Sequence, residues 1–357
     1  MQKESLFLIL AFVVAFLASY STTPIAVKIA HKVGAIDVPK DNRRMHKKPI
    51  PRLGGIAIVF GFMVSVICFV RLPWEYIGIL LGGIIIMLMG AIDDVKPLPA
   101  YLKFAIQILA ALIPVLSGVR IEFFNSFSVL SDTQYYILGW LAVPVTIFWI
   151  VALTNAMNLI DGLDGLSAGV ACISSLCLLI VALMHNQVHV AMVTACLAGG
   201  CFGFLPYNFN PAKIFMGDSG STFLGYMLAC ISIEGMLKGY TTIISVAVPL
   251  VVLALPLLDT TVAILRRVIN HKPIMQPDRG HLHHKLIDKG YSQKQAVLIL
   301  YSICTAFGIF AIVLSGFGVL RALLLLGAVL VFALLWILFR PSEQQDEPQE
   351  EDTENKQ

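Results

Sequence analysis

The sequence predicts an all-α, polytopic integral membrane protein of about eleven transmembrane helices, with its N-terminus outside and its C-terminus in the cytoplasm. Three observations predict it. Hydrophobic residues make up 58% of the 357 residues and charged residues 13%, against roughly 45–50% and 25% in ordinary soluble domains; mean hydropathy is +0.83. Apolar runs about as long as one bilayer crossing recur through the chain. Lys and Arg gather in alternate loops, which sets an orientation. This composition excludes a soluble enzyme, a disordered chain and a nucleic-acid-binding module.

The first apolar run, at about 5–27, is followed by no small-residue cleavage site and reads as a retained helix rather than a signal peptide. Further runs lie at about 54–70, 76–92, 100–118, 136–153, 166–184, 188–206, 220–237, 242–264, 295–315 and 319–339. The sixth and seventh are parted only by His185-Asn186-Gln187. The loop 119–135, with Ile121-Glu122-Phe123-Phe124, reads as a short hairpin at the outer membrane surface. Residues 1–340 read as one membrane domain. Residues 341–357 carry seven acids and no apolar stripe, and read as a disordered cytoplasmic tail. The seven cysteines all lie in apolar stretches, with no CxxC pair, and read as packing residues.

The basic loops 31–53 (Lys32, Lys40, Arg43, Arg44, Lys47, Lys48, Arg52) and 265–293 (Arg266, Arg267, Lys272, Arg279, Lys285, Lys289) fall on one side of an eleven-span chain. The short loops 93–99, 154–165 and 207–219 share that side, which is therefore cytoplasmic. Five acids, Asp93, Asp94, Asp161, Asp164 and Asp218, end or begin spans at that same depth. Each acid costs energy near the bilayer, and five among Asn, Gly, Lys and His call for a common site.

Asp93 and Asp94 are adjacent, so they repel unless cations such as Lys96 or Lys103 offset them. Neighbours on a helix point about 100° apart, so the two acids have different partners. Asn155, Asn158 and Asp161 are spaced by three along one side of a helix, and Gly162 and Gly165 allow close approach of a ligand. Asn208, Phe215 and Asp218 follow in the next cluster. Phe215 could stack a base or simply pack. Asp218 could hold a metal or cap the helix it opens. In the last loop, Arg279, His281, His283 and His284 form a cationic set. Three imidazoles within four residues do not converge readily on one tetrahedral zinc, so this set reads as phosphate-binding. Asp259 and Glu234 are lone acids, and Asp259 lies near Arg266 and Arg267 as a pair partner. Magnesium takes few protein ligands plus substrate phosphates. The whole set therefore suits phosphoryl transfer from a cytoplasmic nucleotide to a lipid.

Several ordered strings carry a resemblance: Arg43-Arg44-Met45-His46, Pro49-Ile50-Pro51-Arg52-Leu53-Gly54-Gly55, Asp93-Asp94, Asn155 through Gly165, Phe215 through Ser221, and His281-Leu282-His283-His284. From about residue 20 to 315 the chain resembles the polyprenyl-phosphate N-acetylhexosamine-1-phosphate transferases. The basic and histidine strings resemble the branch that uses UDP-GlcNAc and undecaprenyl phosphate and starts teichoic acid linkage units or common antigen. A UDP-MurNAc-pentapeptide transferase is the alternative donor reading, and an ion-coupled transporter the alternative class.

The resemblance implies roles. Asn158 and Asp218 match metal ligands for Mg²⁺, with Mn²⁺ as a substitute. Asp93 and Asp94 match the essential acid pair at the lipid phosphate, and Asp161 joins them as a catalytic candidate. Asp164 and Phe215 match uridine contacts. Asn155 and Asn208 line the substrate side, and Arg279, His281, His283 and His284 close on the sugar diphosphate. The implied partners are UDP-GlcNAc, undecaprenyl phosphate and the lipid bilayer, with a homodimer admitted and no nucleic acid. The implied location is the bacterial plasma membrane, with the site facing the cytoplasm. A phosphate monoester is already mostly dianionic at pH 7, and an ordinary Asp is a poor base. Direct displacement is therefore expected in preference to an aspartyl intermediate at Asp93.

Overall fold

The computed structural model describes residues 2–39, 48–125, 135–237, 243–271 and 280–327. Arg43, Arg44, Met45, His46, Arg279 and the acidic tail lie outside the described residues. The elements are nearly all helices: α1 (Gln2–Val33), α2 (Gly55–Phe69), α3 (Trp74–Val95), α4 (Ala100–Leu116), α5 (Ala142–Ile160), α6 (Leu166–Met184), α7 (Val188–Asn208), α8 (Gly217–Ser232), α9 (Ile243–Val252), α10 (Ala254–Ile269), α11 (Leu282–Asp288) and α12 (Gln293–Phe317). The chain is helical again from 319 to 327. Two small antiparallel ladders depart from the all-helical expectation. Strand β1 (Ile36–Asp37) pairs with β2 (Ile50–Pro51), and β3 (Phe123–Asn125) pairs with β4 (Tyr135–Ile137) as the hairpin expected in the loop 119–135.

By length and composition, six helices can cross a membrane among the described residues, or seven if a bent pair counts as one span. α2 and α4 are apolar but shorter. The boundary between the sixth and seventh runs falls where His185-Asn186-Gln187 stand, with Asn186 at φ +56° ending the turn. The ninth run, expected as one span over 242–264, is broken. α9 and α10 meet at 79° around Leu253. Pro256 lies in the first turn of α10 and has no N–H to continue the ladder from α9, which removes a helical hydrogen bond at the bend.

α8 is buried at every residue but Asp218, which makes it the central helix of the bundle. Small residues let its neighbours approach it. A side chain at Gly90 of α3 would run into the backbone at Asp218 and Ser219, and one at Gly55 of α2 into the backbone of Gly220. This is the close small-residue packing typical of helices in lipid, where dispersion rather than water exclusion holds helices together. The strand residues before α2 are stitched to the segment before α8. Phe215 N–H donates to Pro51 O at 2.8 Å, Gly54 N–H to Phe215 O at 2.9 Å and Gly55 N–H to Met216 O at 2.8 Å. Two motifs about 160 residues apart thus form one edge of the site.

Candidate active site

Segments distant in sequence meet at one end of the bundle. The last turn of α3 brings Asp93 and Asp94, the start of α4 brings Lys103, the strand turn before α2 brings Arg52, and the first turn of α8 brings Asp218. Asp94 is closed off from solvent. Its carboxylate accepts from Arg52 Nε at 3.1 Å and from the backbone N–H groups of Asp218 and Ser219 at 2.9 and 3.1 Å. Asp218 accepts from Arg52 Nη2 at 3.3 Å and from Lys103 Nζ at 3.2 Å. Asp93 accepts from Lys103 Nζ at 3.2 Å and from Leu98 N–H at 2.8 Å. The three carboxylates and two cations form one connected network, in which each acid has a different set of partners.

Beside this network lies a cavity of about 350 Å³. Arg52, Asn158, Asp161, Asp164, Asp218 and His284 line it. Asp37, Asn208, Phe215 and Gln293 complete the walls that carry polar or aromatic groups. Asp164 holds the loop before α8, accepting from Asn210 Nδ2 at 2.9 Å and Ala212 N–H at 3.0 Å. The Asn208 amide donates to Ile214 O at 2.9 Å and pins the same loop from its other end.

The donor set can be tested against a divalent cation. Asn158 Nδ2 donates to Ser221 Oγ at 2.9 Å, which leaves its amide oxygen without a partner among the described residues. Asp161 has no side-chain hydrogen bond or ion pair among the described residues. Burial, and then the charge of Asp218, push its carboxyl up to about 8, with Arg52 opposing. A carboxylate crowded by other carboxylates favours a cation beside it. Among the described residues no three His, Cys, Asp or Glu side chains form a preformed cage. Asn158, Asp161 and Asp218 therefore fit an ion that takes few protein ligands and completes its shell with water and phosphate, as magnesium does.

Over 326 residues the chain is 40% identical to the probable undecaprenyl-phosphate N-acetylglucosaminyl 1-phosphate transferase of Bacillus subtilis, covering 91% of this chain and 90% of that protein. Residues 76–236 match the family described as Glycosyl transferase family 4. The chain belongs to glycosyl transferase family 4. It is also 36% identical over 319 residues to the decaprenyl-phosphate N-acetylglucosaminephosphotransferase of Mycobacterium tuberculosis, covering 80% of this chain and 77% of that one. The undecaprenyl-phosphate alpha-N-acetylglucosaminyl 1-phosphate transferase of Escherichia coli is 27% identical over 281 residues, covering 77% and 75%.

In this family 4 chain the sequence-predicted residues divide. Asn158, Asp161, Asp164, Asn208, Phe215, Asp218 and His284 share the cavity. Asp93 and Asp94 sit behind it, joined through Lys103 and Arg52. Asn155 does not line the cavity. Its amide donates to Gln107 Oε1 at 2.7 Å and to Val151 O at 2.8 Å, one helical turn away from Asn158. Arg279 lies outside the described residues.

The expected cationic histidine set is divided as well. His281 Nδ1 meets Asp259 Oδ2 at 2.9 Å. His283 is buried against Gly162, where a side chain would strike its ring, and its Nδ1 has no partner among the described residues. Burial and the neighbouring His284 lower the His283 imidazole to about 3, so it is neutral at physiological pH. The His281 and His283 rings stack with centroids 5.6 Å apart, and the His284 ring lies tilted by 45° against His283 at 4.2 Å, so the three rings do not converge on one ion.

Arg52 and Lys103 are the residues that sequence reasoning underweighted. Arg52 stood inside the Pro-Arg-Leu-Gly-Gly string, which pointed to it. Lys103 carried a weaker signal: the first turn of α4 must face the last turn of α3 across the short loop 96–99.

Proposed function

We propose that this chain transfers N-acetylglucosamine 1-phosphate from UDP-GlcNAc to undecaprenyl phosphate. An oxygen of the lipid phosphate bonds to the phosphorus that bears the sugar, and the bond from that phosphorus to the bridging oxygen breaks. Undecaprenyl-pyrophosphoryl-GlcNAc forms and UMP leaves. The observation that carries this reading is the single cavity in which Asn158, Asp161 and Asp218 face Arg52 and His284 beside the Phe215 ring, in a chain closely similar to enzymes named for this transfer. The product would begin a surface polymer of the teichoic acid type at the bacterial plasma membrane.

Mg²⁺ at Asn158 and Asp218, with Asp161 as a third oxygen donor and Mn²⁺ as a substitute, would neutralise the anionic donor and stabilise the departing phosphate. The chain's own residues supply the rest. Arg52 offers a guanidinium at the cavity wall for a phosphate oxygen. Phe215 offers a flat face to the uracil, and Asp164 an acceptor for its N–H. Both oxygens of Asp93 are engaged, by Leu98 N–H and Lys103, which favours a role in positioning Lys103 over proton removal. The charge pattern supports eleven spans with the N-terminus outside and this cavity at the cytoplasmic face.

The test is transfer of radiolabel from UDP-[¹⁴C]GlcNAc into an organic phase by the purified chain with undecaprenyl phosphate and Mg²⁺, with UDP-MurNAc-pentapeptide as competitor. Label in the lipid fraction, undiminished by the pentapeptide donor, is the expected result. No transfer overturns the reading, and preferred transfer from the pentapeptide donor reassigns the substrate. Labelling of single introduced cysteines in the loops 31–53 and 119–135 from either side of intact cells tests the orientation.

A further inference from the structure

We propose that Asp259 is the positioning residue for the histidine segment 281–284, fixing from α10 the direction in which His284 meets the cavity. Asp259 does not line the cavity itself. Its two carboxylate oxygens are divided between consecutive residues: Oδ2 accepts from His281 Nδ1 at 2.9 Å and Oδ1 accepts from Leu282 N–H at 2.8 Å. A carboxylate can only accept here, so the His281 proton sits on Nδ1. Both side chains are nearly closed to solvent, at 8% and 5% exposure, so the ring bond is shielded from bulk water, while the Leu282 N–H bond lies at the exposed end of the pair. One bond would tether the segment. Two bonds, to a ring and to the next backbone amide, fix its direction.

A third contact comes from the same helix. Arg266, two turns beyond Asp259, donates from Nη1 to Gly280 O at 2.8 Å. Residues 280, 281 and 282 are thereby laid along one face of α10. α11 then begins at Leu282 and runs for only 7 residues, too short to hold a helical direction on its own. Its orientation follows from where residues 281 and 282 are pinned, at about 100° of turn per residue. From that start His283 falls against Gly162 and His284 reaches the cavity wall. The clamp thus links α10, beyond the bend at Leu253, to the pocket where the nucleotide sugar is proposed to bind.

The functional consequence rests on the proposed reading that His284 meets the diphosphate. The clamp is tested separately from it. In the full-length detergent-solubilised chain, Asp259→Asn and His281→Asn are compared with wild type and with the double variant. Each single variant is expected to raise the KM for UDP-GlcNAc about tenfold, because only a fraction of molecules then hold the segment in place. The kcat should change by less than about threefold, and the double variant should be no worse than the more affected single one, because both remove the same link. Backbone hydrogen exchange at 281–288 should accelerate in both variants at unchanged melting temperature. A wild-type KM in Asp259→Asn, additive losses, or unchanged exchange would overturn the clamp. If Asp259→Asn does not fold, His281→Asn decides by the same two readouts. If wild type transfers no label, the reaction reading fails, and exchange in the variants still decides the clamp.

Discussion

Asp94 caps the helix that carries Asp218: its carboxylate accepts the Asp218 and Ser219 N–H groups at the start of α8 while Arg52 pairs with it from the other side. Gly217, at φ +73°, gives the carboxylate room, since a side chain there would collide with it. The adjacent acids of the Asp-Asp string are therefore unequal. Asp94 is an internal fixture that aims Asp218, while Asp93 faces the lysine of the next helix.

Asp94→Ala removes a buried acceptor from two helix N-terminal donors and leaves Arg52 without that partner. Breaking a buried, hydrogen-bonded charge in this way costs about 3–5 kcal/mol. A lower melting temperature in detergent and loss of transfer are expected together. A variant with wild-type stability would show that the cap carries no weight.

Asp218→Ala behaves differently. It takes one acid from a network of three acids and two cations, leaving two of each, so the fold should survive. Transfer should be abolished at every Mg²⁺ concentration, because the ion loses its charged ligand. Label transfer across a Mg²⁺ titration, beside a melting curve, checks both halves. Activity at ordinary Mg²⁺ would remove Asp218 from the ligand set.

Stereochemistry at the transferred phosphorus reports the number of displacements. Asp93 is doubly hydrogen-bonded and poorly placed to act as a nucleophile, so one in-line step is expected. A donor made chiral at the phosphorus that bears the sugar should give inverted product. Net retention would establish a covalent aspartyl intermediate instead.

Acid stability should depend on His283. Its folded pKa, about 3, lies below its ordinary value of 6.5, so the unfolded chain binds the proton more readily. The sign follows: stability from this group is full above about pH 6.5 and is lost as pH falls towards 3. His283→Leu should flatten the acid limb of melting temperature against pH. An unchanged limb would mean that another group sets it.

Gly55→Ala tests the contact between α2 and α8. The added methyl meets the Gly220 backbone, which cannot turn aside as a side chain would. Overpacking of this kind costs about 1–3 kcal/mol and would pull the Pro-Arg-Leu-Gly-Gly turn, with Arg52, away from Asp218. Both melting temperature and transfer should fall. Wild-type values of both would show that the helices can separate at no cost.

Hydropathy and charge along the chain were enough to read the nearly all-helical membrane class, the boundary at His185-Asn186-Gln187, the hairpin after α4 and the polar clusters at helix ends, because these depend on neighbours in sequence. They were enough, too, to suggest that Asp93 and Asp94 have separate partners, since a helix turns about 100° per residue. Lys103 was already a candidate in the sequence, but that Asp93 takes Lys103 while Asp94 takes Arg52 was decided by the tertiary structure. The pairing of Arg52 with Asp218 spans 166 positions and that of Asp259 with His281 spans 22. The break at Leu253 and the separate fates of three neighbouring histidines were likewise hidden. A local pattern records how strongly a side chain prefers lipid or water. Only the packing of small residues against the central helix fixes which polar groups then lie within hydrogen-bond reach.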